Sequence, residues 1–216
     1  MTGQNTPANQ CSKPTGWLGR CALWRMNRSH SKLTDWGLGQ ISIENHHTIL
    51  DVGCGGGRTV SKLAAICTQG KVYGVDYSDE SVAATKRMNA KWIVLGRVEI
   101  RPASVSQLPF PDDMFDLVTA VETHFWWPNL AGDMREVYRV LKPGGTLILI
   151  AEIYRGANTL AAKLFEQRAA QIGMTLLSVE EHHRLFTKAG YSNVQIIEER
   201  DKGWICGTAR KPTANS

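Results

Sequence analysis

Residues 48–57 read T-I-L-D-V-G-C-G-G-G, and no other stretch of the chain limits its fold so tightly. An apolar, β-branched run that stops at a cluster of glycines is a buried strand entering a tight turn. Glycine is needed where the backbone takes a positive φ, or lies against a ligand with no side chain between. From Arg58 the spacing becomes helical, with Val60, Leu63 and Ala64 on the apolar face. Strand, glycine turn and helix open a nucleotide-binding α/β unit, whose ligands sit beyond the carboxyl ends of the strands.

The pattern then repeats. It predicts strands at 48–52, 72–76, 97–101, 115–121 and 146–153, with helices at 59–67, 79–89 and 129–141 between them. Ser78 is a good N-cap for the second helix, and Asp79 and Glu80 suit its first turn. On the third, Met134, Val137 and Leu141 face inward, and the run Lys142-Pro143-Gly144-Gly145 reads as its stop and a glycine turn. Five alternations imply a parallel sheet with helices on both faces. The tail predicts helices at 160–172, with Ala161 and Leu164 inward, and at 179–189, capped by a Ser178–Glu181 capping box. Strands at 194–199 and 204–208, joined by a short loop, read as an antiparallel hairpin at the sheet edge. Before the first strand, 17–37 has a broken helical stripe of Leu18, Ala22, Met26 and Leu33, closed by Gly37 and Gly39. Residues 1–15 read as a disordered leader and 16–216 as one domain: a cap helix (16–45), a cofactor-binding core (46–153), then lid helices and the hairpin (154–216).

Composition narrows the setting. At 43% hydrophobic and 21% charged residues, the 216-residue chain is ordinary for a globular protein, with no apolar run of membrane-spanning length. Its polar start lacks the apolar core of a secretory signal. Cys11, Cys21, Cys54, Cys67 and Cys206 are odd in number and form no C-x-x-C pair, so reduced thiols and a cytoplasmic location are expected. Part of the +5 charge sits on Arg20, Arg25, Arg28 and Lys32, which read either as an attractor for anions or as a solvated helix face. No basic run with interleaved aromatics speaks for nucleic acid. No histidine, the His46-His47 pair included, has zinc-like spacing, so no metal is expected. Oligomeric state is not legible.

Which nucleotide binds is decided by what the glycines are not. The dinucleotide fingerprint G-x-G-x-x-G fails, because its third glycine falls on Arg58 or Val60, and no Lys-Ser/Thr follows as in a Walker loop. The pattern is D-x-G-x-G-x-G, and an acid at the strand end, Asp51, suits an ammonium group better than a pyrophosphate. The second strand ends in Asp76, placed to accept ribose hydroxyls, and Tyr77 follows where a ring can lie along a base.

With these motifs stand L-P-F-P-D-D-M-F-D at 108–116, E-V-Y-R-V-L-K-P-G-G at 136–145, and L-S-V-E-E with L-F-T-K-A-G-Y across 177–191. Together, over about Ile49 to Thr208, they resemble the class I S-adenosylmethionine-dependent methyltransferases, in the small-molecule branch that includes ubiquinone- and sterol-type enzymes. The resemblance implies a Rossmann-like, doubly wound seven-stranded sheet whose last strand is antiparallel. It implies S-adenosylmethionine as cofactor and S-adenosylhomocysteine as product. Gly53, Gly55 and Gly57 would hold the methionine part, with Asp51 near its ammonium. Asp76 would take the ribose, Tyr77 would flank the adenine, and Val121 would line the methionine portion. Where the family usually has Gly-Asp-Ala, this chain has Ala103-Ser104-Val105. Ser104 and the Val105 N–H remain for the adenine amine, and losing the charged acceptor costs about 1 kcal/mol.

Because the donor methyl is already activated, alignment of the acceptor is the main task, with a base where the acceptor carries a proton. His124, after the fourth strand, is the first candidate base, with Glu122 beside it. Phe125, Trp126 and Trp127 would form an apolar or cation-binding wall, closed by Met26 and His30. His30 reads equally as a surface residue on a capping helix, and His124 as an orienting or packing residue. Short insertions favour a small acceptor, methylated on oxygen, nitrogen or carbon. Methylation of a macromolecule and cofactor binding without transfer stay open.

Overall fold

The computed structural model describes residues 30–213; the 1–15 leader and residues 16–29 of the 16–45 segment, Met26 included, lie outside them. The first described helix, α1 (Ser31–Leu38), leads to β1 (Thr48–Val52), α2 (Arg58–Ile66) and β2 (Lys71–Asp76). Then come α3 (Asp79–Met88), a short α4 (Ala90–Val94) that the sequence pattern did not separate, β3 (Val98–Pro102) and β4 (Phe115–Val121). After a 3₁₀ turn at His124–Trp126 follow α5 (Leu130–Val140), β5 (Leu141–Ala151), α6 (Leu160–Ala169), α7 (Val179–Lys188), β6 (Ser192–Glu199) and β7 (Trp204–Arg210).

The seven strands form one sheet in the order β3-β2-β1-β4-β5-β7-β6. Neighbours from β3 to β5 run parallel, and β7 runs antiparallel to both β5 and β6. Strand order reverses beside β1, which is where a doubly wound sheet opens a crevice for ligands. Both faces are covered. One carries a core of Val118, Leu149, Met134, Val137 and Phe186, with Tyr73, Phe110 and Phe115 packed edge to face at 5.0–5.5 Å. The other packs Ile49, Val60, Leu63, Leu117 and Ile150 against Leu33 and Leu38 of α1. Strands buried on both sides explain the nearly unbroken apolar runs that made β1 and β4 legible.

Three local expectations are corrected. Gly37 does not end the first helix; it lies inside α1, where an added Cβ would come within 2.4 Å of the Ile150 side chain, so its bareness lets α1 rest on β5. Residues 142–145 do not break the chain between helix and strand. β5 begins at Leu141, paired with Phe115, and the register shift before the Leu117–Thr146 pair absorbs the glycines as a bulge. Leu164 does not face inward: it is exposed, as are Leu160 and Phe165, while Ala162 and Ala169 make the inner face of α6. The Leu-Pro-Phe-Pro loop is latched from α5, where Arg139 donates to the carbonyls of Leu108 and Phe110 and pairs with Asp112 and Glu136.

Candidate active site

The glycine turn leaves β1 with Gly53 at φ +73°, a conformation that L side chains rarely adopt. A Cβ there would also meet Thr123 Oγ1 at 2.3 Å, so the loop after β4 presses directly on the turn. The turn is tied down from below by α3. Thr85 Oγ1 donates to the Gly55 carbonyl at 2.8 Å, and Asn89 Nδ2 to the Gly57 carbonyl at 3.0 Å. From β2, Asp76 accepts the Gly55 N–H and the Ser78 N–H, each at 2.9 Å. One carboxylate thus joins the turn to the start of α3. Cys54, buried in the turn with its thiol pKa driven well up by burial, is no nucleophile.

The turn borders a cavity of about 340 Å³ at the carboxyl ends of β1, β2 and β4, within the usual range for ligand pockets. Of the residues singled out in the sequence, Gly53, Gly55, Asp76, Tyr77, Ser104, Val105, Val121, Glu122, His30, Trp126 and Trp127 all line it. Ser104 uses its hydroxyl oxygen to accept the Ser106 N–H within its own loop. Asp51, Gly57, His124 and Phe125 do not line the cavity. Asp51 is buried beneath it and accepts the Thr119 hydroxyl at 2.6 Å. Gly57 is the N-cap of α2. Phe125 points into the core under α6.

His124 is the chief correction. The 3₁₀ turn carries its ring away from the cavity into the protein, where Nε2 lies 3.1 Å from His182 Nε2 of α7. His182 Nδ1 is 2.8 Å from the Ser178 carbonyl, which can only accept, so that nitrogen carries the proton. A neutral His182 then accepts at Nε2, His124 donates to it, and His124 Nδ1 is left buried with no partner among the described residues. Burial, then the neighbouring ring, push the His124 pKa well below normal. A ring with no access to the cavity takes no proton from an acceptor there.

Glu122 lines the cavity. It directly follows β4 at φ +58°, and Oε1 accepts the Glu152 backbone N–H. Burial raises its pKa to about 8, with nearby Glu152 adding to the rise and His30 opposing it. Its neighbours behave alike. Burial, with the Asp76 charge adding, pushes Asp51 up to about 7 against the Thr119 hydrogen bond. Asp76 is also raised by burial, against the N–H bonds from Ser78 and Gly55. Three carboxyl groups at the strand ends thus hold protons more tightly than free carboxylates do, chiefly because they are buried.

The supports of the turn carry no motif. Ser81, Thr85 and Asn89 form a buried polar stripe at every fourth position of α3, a spacing legible in the chain but not used. Nor does a motif mark Thr34 and Arg58 in the lining, or Glu152, whose side chain stands 3.4 Å from His30 Nε2.

Residues 50–149 match a protein-family model described as a methyltransferase domain. Among curated proteins, a sterol 24-C-methyltransferase of Neurospora crassa is 35% identical over 107 residues, covering 50% of this chain but only 28% of that protein. The methyltransferase GfsG of Streptomyces halstedii is 27% identical over 91% of this chain and 71% of its own. The chain therefore spans little more than a quarter of the sterol enzyme. A solved SAM-dependent methyltransferase from Aquifex aeolicus superposes with a TM-score of 0.71 at 20% identity, over 88% of this chain and 96% of its own. The cavity suits such a cofactor: a bare glycine turn for its amino-acid part and an acid, Asp76, at the ribose position. The sheet, the turn and the matched segment agree: residues 50–149 carry a methyltransferase domain, on the fold of the class I S-adenosylmethionine-dependent methyltransferases.

Proposed function

We propose that this protein transfers a methyl group from S-adenosylmethionine to a small-molecule acceptor. The observation that carries the reading is one cavity at the strand ends, bordered by the glycine turn Gly53–Gly56 and lined by Asp76 and Glu122. The cofactor supplies a methyl carbon already activated by a sulfonium. Asp76 and the Gly53–Gly56 backbone hold it, Tyr77, Ser104 and Val105 flank its base, and Val121 and Trp127 fill the wall beside it. Asp51 acts from below, through its charge rather than by contact. His30, Thr34, Glu122 and Trp126 remain for the acceptor, with Glu122 as base in place of His124.

A small acceptor is favoured by the cavity's size and by the likeness to a sterol methyltransferase. The full chain should release S-adenosylhomocysteine from S-adenosylmethionine with at least one member of a panel of sterols, phenols, enols and amines. Tight cofactor binding with no turnover on any of them, or turnover only with RNA or protein, would overturn the reading.

A further inference from the structure

Glu152 was singled out by neither the sequence motifs nor the matched family segment, which ends at residue 149. It follows β5, and its backbone N–H is the donor that holds Glu122 Oε1. Its own carboxylate, with 41% of the side chain exposed, approaches His30 Nε2 at 3.4 Å. His30, just before α1, is fixed by that helix: Thr34 donates its hydroxyl to the His30 carbonyl at 2.9 Å, and Gly37 seats α1 on β5. One polar atom each of His30, Glu122 and Glu152 lie within 4.8 Å of one another, a gap that a single water bridges.

These three groups differ in exposure in a useful way. Glu122 and His30 line the cavity, and Glu152 is the most open of the three. The charged groups facing His30 are Glu152 from the end of β5 and Glu122 from the end of β4. Those facing Glu122 are His30 and Glu152. Asp51 and Asp76 stand at the ends of β1 and β2. No separate cation is needed to balance the cluster if a proton moves among its members.

We propose that Glu122, His30 and Glu152 form one proton-holding unit, in which Glu122 takes the proton of an O–H or N–H acceptor and His30 and Glu152 pass it to solvent. The inference rests on the methyl-transfer reading and narrows it. The acceptor gives its O–H or N–H proton to a Glu122 oxygen, and the electron pair left on oxygen or nitrogen forms the new bond to carbon. The pair of the broken carbon–sulfur bond stays on sulfur. Acceptors without such a proton, such as thioethers and tertiary amines, gain nothing from the unit. Glu122 is then catalytic, and His30 and Glu152 are positioning residues. The net effect of their neighbours supports this: the His30 pKa is raised, although burial, the largest single influence, works to lower it, because the Glu152 hydrogen bond and both carboxylates favour its cation. Coupled groups of this kind titrate as a set.

The test is a proton titration of the full chain, followed by ¹³C NMR of labelled histidine and glutamate side chains, with and without S-adenosylhomocysteine. In the wild type, His30 should show two inflections, its own and one tracking Glu122. Glu122→Gln should erase the second, and Glu152→Gln should move the first down by about one pH unit, near the size of a single close charge. Should Glu152→Gln fail to fold, His30→Gln read through the Glu122 carboxyl resonance gives the same decision. A single His30 inflection that neither substitution moves overturns the inference. So does collapse of the His30 titration on adding zinc or magnesium chloride, which would make the cluster a cation site. The titration reads the unit without turnover, so its failure leaves the transfer assay standing. An acceptor panel with no turnover leaves the coupling visible while sinking the function.

Discussion

Asp51 shows how burying one carboxyl works against the stability of the fold. Its carboxyl is buried, bonded to Thr119, and holds its proton up to about pH 7 against an ordinary value of 3.8. The sign follows from linkage. Below the ordinary value both folded and unfolded chains are protonated and nothing is lost. As pH rises, the unfolded chain ionises first, so the folded state loses stability progressively until about pH 7, where the loss levels off. The span sets an upper bound of about 4 kcal/mol. Asp51→Asn, which keeps an acceptor for Thr119, should therefore gain stability over the wild type as pH rises from 5 to 8 in urea unfolding of the ligand-free protein. It should also bind S-adenosylmethionine more weakly. Equal gains at both pH values would show that Asp51 is ionised throughout. Asp51 was legible as an acid at a strand end. That it lies under the cavity was not, because sequence places a residue on a strand without saying at what depth a ligand rests.

At the scale of elements, α3 is more than a layer on the sheet. Of its buried stripe of Ser81, Thr85 and Asn89, the last two reach the carbonyls of the glycine turn, and Asn89 also bonds to the Thr85 carbonyl. Thr85→Val keeps the shape and removes the hydroxyl that holds the Gly55 carbonyl. One hydrogen bond contributes about 1 kcal/mol, so S-adenosylhomocysteine binding by calorimetry should weaken roughly fivefold if the turn must stay ordered to bind. Unchanged affinity in a folded variant would make the stripe structural only. The elements themselves were largely readable: β1 and β4 came out of the sequence with their observed bounds, and the capping box at Ser178 and Glu181 is present. The failures share one cause. Gly37, Leu164 and His124 were assigned from spacing along the chain, while their neighbours, Ile150, open solvent and His182, are set by packing between distant segments. The site divides the same way. Residues on motifs were found, and Glu152, with no motif around it, was not.

At the scale of the whole molecule, the sheet is closed by its last strand. β7 lies between β5 and β6, and Leu147 to Ile150 pair with Cys206 to Ala209. The family-matched segment stops inside β5, with that edge still unpaired. A fragment of residues 30–153 should thus lack a cooperative thermal transition and aggregate through the bare apolar edge, as read by calorimetry and light scattering. A soluble fragment with a sharp transition would show that the core stands alone. The consequence reaches to synthesis. A chain leaving the ribosome displays β5 for the time needed to add more than fifty residues, and only the arrival of β7 hides it. The residues that line the cavity, from His30 to Pro128, all precede β5, so the sheet edge stays bare after the cavity's own segments have been made.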